Sequence, residues 1–90
     1  MKRYVIEREV PGIGSLTGQQ LSEAARKSCD ALEKLGTDVQ WIESFVAADK
    51  TFCIYLAKDE ATVQKHAQTS GFPANIVTEV RSMLDPTMAA

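Results

Sequence analysis

One histidine, one tryptophan and two cysteines in 90 residues leave little room for several common chemistries. Nucleophilic catalysis needs a nucleophile, a base and an orienting group within reach. With His66 the only imidazole, Cys53 and His66 form the one Cys–His pair that can be drawn, and no local motif surrounds either. Cys29 and Cys53 lie far apart and make no CxxC, so two free thiols are expected, with Cys29 as a small buried hydrophobe. No apolar run approaches ~18 residues, which excludes a membrane-spanning helix. The basic start Met1-Lys2-Arg3 leads into only a few apolar residues before Glu7-Arg8-Glu9, so no signal peptide is read and the expected location is the cytoplasm. The net charge of −2, with acids and bases interspersed, lacks the basic footprint of a nucleic-acid-binding domain. Gly12-Ile13-Gly14 has neither a third glycine nor a Lys-Ser/Thr pair, so it reads as a connection rather than a phosphate loop.

What is present is one domain's worth of strongly patterned chain. The apolar fraction is 44%, ordinary for a globular protein, and a chain of this length supports one modest core. Arg3 to Val10 alternates, with Tyr4, Ile6 and Arg8 on one face and Val5, Glu7 and Glu9 on the other, and predicts a first strand. Pro11-Gly12 turns the chain and Gly14 is expected to keep the loop loose. Thr17 with Gln20 three residues on forms a capping box. The helix it opens runs from about Gly18 to Leu35, with Leu21, Ala25, Ser28, Leu32 and Leu35 as its inner stripe and Gly36 as its cap.

Val39 to Leu56 then predicts two strands folded back on each other around Ala48-Asp49-Lys50. In the second arm, Phe52, Ile54 and Leu56 are expected to face the helices, and Cys53 and Tyr55 the other side. In the first arm both parities are mixed. Asp59 caps a second helix over about Glu60 to Ser70, with a thin stripe of Val63, Ala67 and Ser70, His66 beside it, and Gly71 as the stop. Ile76 to Leu84 predicts a fourth strand, ended by Asp85-Pro86-Thr87.

The order β-α-β-β-α-β predicts an α+β, ferredoxin-like sandwich: an antiparallel sheet with two helices on one face, residues 1–90 forming one domain and 85–90 a loose tail. The opposite face stays open, and an open apolar face predicts pairing with a second copy as a homodimer. Two relatives in topology are disfavoured. RNA-recognition modules place stacking aromatics two residues apart on the third strand, whereas Phe52 and Tyr55 are three apart. Heavy-metal chaperones of this plan carry paired cysteines in the first loop, and Val10 to Ser15 contains none. Imidazole, thiol and carboxylate donors are nonetheless available in His66, Cys53, Glu7, Glu43 and Asp85, a mixture suited to Ni²⁺ and other divalent transition metals, with His66 expected first as a ligand, then Glu43, Cys53 and Glu7. The alternative is a small dimeric enzyme or small-molecule binder using an open-face cleft near Trp41, Tyr55 and Glu7.

Several stretches resemble a small bacterial family known as nickel-binding. They are Arg3-Tyr4-Val5-Ile6-Glu7-Arg8 with Pro11-Gly12, Val39-Gln40-Trp41 with Ser44-Phe45-Val46, and Asp49 to Tyr55. His66-Ala67, Gly71-Phe72-Pro73-Ala74 and Asp85-Pro86-Thr87 complete the resemblance, which covers nearly the whole chain. It implies a ferredoxin-like dimer that sequesters or confers tolerance to nickel and does not catalyse. Glu43 stands where that pattern often carries a histidine, which implies a harder site.

Overall fold

A computed structural model describes residues 1–89. Four strands, β1 (Lys2–Glu9), β2 (Val39–Val46), β3 (Lys50–Ala57) and β4 (Ile76–Val80), alternate with helices α1 (Gly18–Leu35) and α2 (Glu60–Ser70). The sheet order is β2-β3-β1-β4, and every pairing is antiparallel. This is the ferredoxin-like arrangement, with both helices on one face.

The helices begin where side chains can satisfy their orphan amides. Thr17 Oγ1 accepts from the Gln20 amide at 3.2 Å, and Gln20 Oε1 accepts from the Thr17 amide at 2.9 Å, closing both halves of the capping box. At α2, Asp59 Oδ1 accepts from the Thr62 amide at 2.8 Å and from its hydroxyl at 2.7 Å. These bonds lower the Asp59 carboxyl below its ordinary range. Gly71 then ends α2 at φ 79°, a left-handed conformation that costs glycine nothing.

Cross-strand register assigns the faces. Tyr4, Ile6 and Arg8 lie opposite Tyr55, Cys53 and Thr51, and all six are buried beneath the helices. The expected orientation of β3 is therefore reversed. Thr51, Cys53, Tyr55 and Ala57 point inward, while Phe52, Ile54 and Leu56 share the open face with Glu7, Val5 and Arg3. The mixed parity of β2 has a cause as well. A bulge between Trp41 and Glu43 inserts Ile42 as an extra residue, which flips the alternation. Val39 and Trp41 face inward before it and Ser44 after it, leaving Glu43 and Phe45 on the open side.

Three further expectations change. β4 stops at Val80 rather than Leu84. Its only partner is β1, with Arg3 opposite Val80, so the residues beyond soon run out of strand to pair with. Cys29 is exposed, not buried, because Ser28 and Ala31 take the inward line of α1. Gly14 is held tightly rather than loosely. Its amide donates to the Ala48 carbonyl at 3.0 Å, and a Cβ there would come within 2.6 Å of the Ala47 carbonyl oxygen and 2.8 Å of Ala48 Cα. Of the tail, Pro86–Ala89 forms a short 3-10 turn, with Asp85 accepting from the Thr87 amide at 2.9 Å. Ala90, the end of the expected loose tail, lies outside the described residues. No helix among the described residues is long and apolar enough to cross a membrane.

Candidate functional site

Polar chemistry on this sheet is concentrated under the helices. Spacing on α2 turns Val63, His66, Ala67 and Ser70 toward the sheet, all buried, so His66 belongs to the inner stripe itself. Its imidazole is 0% exposed. From α1, Ser28 Oγ lies 3.3 Å from His66 Nε2 and 3.2 Å from the Tyr55 hydroxyl, and the Tyr55 and His66 rings sit 5.0 Å apart. One hydroxyl thus joins both helices to β3. Burial pushes the His66 imidazole below its ordinary pKa, the Arg8 charge acts in the same direction, and contact with the Ser28 backbone opposes them. Burial raises the Tyr55 phenol, against lowering by the Ser28 hydrogen bond and by Arg8. Both rings are therefore neutral at neutral pH.

Arg8 is the unusual member. Alternation on β1 sends it to the same face as Tyr4 and Ile6, and it is only 4% exposed. Its Nη1 donates to the Pro73 carbonyl at 2.7 Å and to the Phe72 carbonyl at 3.4 Å, and its guanidinium lies 5.8 Å from the centre of the Tyr55 ring. No carboxylate pairs with it among the described residues. Its Nη2 and His66 Nδ1 are buried without a hydrogen-bond partner. A guanidinium keeps its charge in proteins, and burying a charge without a counterion is costly.

Beside Arg8, between α1 and the sheet, is a cavity of about 220 Å³. Val10, Ile13, Leu21, Ala24, Ala25 and Phe72 supply most of its apolar wall. Arg8, Ser28, Tyr55, Cys53, Thr51 and Ser44 supply the polar groups, and Trp41 also lines the cavity, its indole N–H donating to Ser44 Oγ at 2.9 Å. Leu21 and Val46 also line a shallow depression formed by Gly12, Gly14, Ser15 and the hairpin turn, which places the cavity next to the surface there.

The four candidate metal donors are not brought together. His66 and Cys53 lie on the helix-covered side, where Cys53 Sγ is 3.5 Å from Thr51 Oγ1. Glu7 and Glu43 lie on the open face. Glu7 meets Lys50 Nζ at 3.6 Å. Glu43, opposite Ile54, is exposed and has no ion-pair partner among the described residues. β3 separates β1 from β2, and Glu43 stands opposite Ile54 while Glu7 stands opposite Phe52, so the two glutamates are two strand spacings and two residues of register apart, about 12 Å between backbones. Among the described residues no three His, Cys, Asp or Glu side chains gather closely enough to hold a metal ion, so one chain's donors do not fit a closed nickel shell. The anticipated cleft near Trp41, Tyr55 and Glu7 also divides, since Trp41 and Tyr55 line the cavity under α1 and Glu7 faces away from it.

Sequence reasoning passed over Arg8 and Ser28 as site residues. The available signal was Arg8 alternating in phase with Tyr4 and Ile6, which predicts a cation beneath the helices. Ser28 sat in the apolar stripe of α1 as its one hydroxyl.

Comparison with curated proteins finds no match. Among solved structures, the chain is similar to the crystal structure of SCO4226 from Streptomyces coelicolor A3(2), a bacterial protein. The TM-score is 0.74 at 20% identity, covering 91% of this chain and 99% of that one, a likeness of fold. A family model described as nickel responsive protein SCO4226-like matches residues 4–80, from the first strand through the last. The chain therefore belongs to the SCO4226-like family of nickel-responsive proteins.

Proposed function

We propose that this chain is a small cytoplasmic, dimeric nickel-binding protein that holds the ion for sequestration or tolerance and performs no catalysis. The family match over residues 4–80 carries the reading. The exposed apolar face supports its dimeric part. Phe45 is 56% exposed, Ile42 48% and Ile76 50%, and Phe52, Ile54, Leu56, Val5 and Val80 lie on the same face only half-buried. An apolar sheet face of this kind is stabilised by covering it.

A second copy on that face also answers the separation of the donors. Glu43 and Glu7 are the two that a partner's acids can approach, so the nickel shell is completed between copies, with carboxylates in the leading role. His66 and Cys53 lie beneath the helices, away from that interface. Calorimetric titration with Ni²⁺ on the untagged protein tests this, using Glu43→Ala, Glu7→Ala and His66→Ala, with sedimentation run in parallel. Affinity lost in Glu43→Ala and kept in a folded His66→Ala supports the interface site. The reverse result moves the ion beneath the helices. No saturable nickel binding by the wild type, together with no metal by elemental analysis, removes the reading altogether. The alternative class, a small-molecule binder, is favoured by one observation, the cavity beside Arg8, and that cavity lies under α1 rather than on the open face.

A further inference from the structure

We infer that the cavity under α1 binds a small organic monocarboxylate with an apolar body, and that Arg8 is the group that recognises its charge. Three observations converge. Arg8 lines the cavity, is 4% exposed, and lacks any carboxylate partner among the described residues. Its Nη2 is buried with no acceptor, while Nη1 is already committed to the Phe72 and Pro73 carbonyls. A buried guanidinium without a counterion and with Nη2 unpartnered favours an anion, and a carboxylate matches its geometry. Tyr55, whose hydroxyl pairs with Ser28 Oγ at 3.2 Å, also lines the cavity and is the second polar group there.

The rest of the wall sets the ligand's body. It is formed largely by Ile13, Leu21, Ala24, Ala25 and Phe72, which disfavours a fully hydrated anion such as phosphate. Size narrows the class further. An apolar cavity of roughly 150 Å³ accepts benzene, so one of about 220 Å³ accommodates a single ring or a short branched chain bearing one carboxylate. The two small alanines on α1 keep that space open. The cavity is on the helix-covered side of the sheet, so neither pairing through the open face nor nickel held there occludes it, and this inference is independent of the nickel reading.

Trp41, the only tryptophan, lines the cavity and reports its occupancy. The experiment is a fluorescence titration of the full chain with benzoate, benzamide and inorganic phosphate, in the presence of chelator. Benzoate is expected to shift the Trp41 emission saturably. Neutral benzamide should bind about tenfold or more weakly, as loss of a charge-assisted hydrogen bond implies, and phosphate should have no effect. Arg8→Gln is expected to abolish the preference for benzoate over benzamide. Because removing a buried arginine can also unfold the chain, Ala25→Leu supplies a second variant. It keeps Arg8 and fills the cavity, and should lose the benzoate response while retaining the wild-type circular dichroism. Equal binding of benzoate and benzamide, an undiminished benzoate response in a folded Ala25→Leu, a response to phosphate alone, or no saturable response to benzoate would each overturn the assignment.

Discussion

The two faces of the sheet divide polar and apolar residues in an unexpected way. The covered face buries Arg8, Thr51, Ser28, His66 and Ser70 among a modest set of apolar groups. The open face carries Phe45, Phe52, Ile54 and Leu56. In a sheet with one wet side the apolar row normally faces the core. Here the covered side is stabilised by a hydrogen-bonded chain and a few fully buried residues such as Ile6 and Val63. The apolar row of β3, Phe52, Ile54 and Leu56, remains on the outside, while Tyr4, Ile6, Val39 and Val63 belong to the covered core. Polar groups can be buried when each finds a partner, and Ser28 serves two of them at once. What remains unsatisfied, Arg8 Nη2 and His66 Nδ1, then stands out as capacity for something the chain itself does not provide.

The largest expected effect breaks the open face. Placing a charge in its middle with Ile54→Asp should convert the proposed dimer fully to monomer in sedimentation while leaving circular dichroism unchanged. A monomeric wild type at micromolar concentration would remove the dimer. Next is the contrast in burial. Ile6→Ala on the covered face should cost about 2–5 kcal/mol by urea unfolding, as for other fully buried aliphatics. Ile54→Ala should cost clearly less once measured in the monomeric background. A smaller loss, about 1–3 kcal/mol, is expected for Ser28→Ala, which strands the Tyr55 hydroxyl and His66 Nε2 without a protein partner. If Ser28→Ala is neutral, the buried polar chain is not holding the two helices to β3.

The pH dependence follows from His66. Its pKa is lowered by folding, so between the folded value and the ordinary value of about 6.5 the unfolded state binds more protons. Stability is therefore full above about pH 6.5 and falls as the pH drops toward the folded pKa. Urea midpoints measured across that window should decline in the wild type and decline less in His66→Gln. The smallest effect belongs to the open-face pair Glu7–Lys50. Both side chains are partly exposed, and Glu7→Gln should change stability by about 0.2–1 kcal/mol, less at high salt.

Much of the architecture was legible because its signals are local. Thr17 with Gln20, Gly71, and the stripe of α1 depend on a few neighbouring residues, and both helices span the ranges their caps and periodicity predict. β3 was not legible in the same way. Alternation divides Phe52, Ile54 and Leu56 from Cys53 and Tyr55 correctly, yet which set is covered depends on the pairing partner and on what the helices offer. Ser28 and His66 made the polar set the one that could be buried. The β2 bulge at Ile42 has no sequence marker as plain as a glycine, and so the face of Glu43 could not be assigned beforehand. The candidate site suffered most, since its members come from β1, β2, β3, α1 and the segment after α2.

The order of elements and the helix caps were determined by the sequence alone, because each rests on interactions a few residues in range. Tertiary structure decided which side of the sheet is core. It separated Glu7 and Glu43 from His66 and Cys53, and it set Arg8 against a cavity with no counterion. Those outcomes depend on register and layer packing between residues tens of positions apart, where a shift of one residue exchanges the two faces.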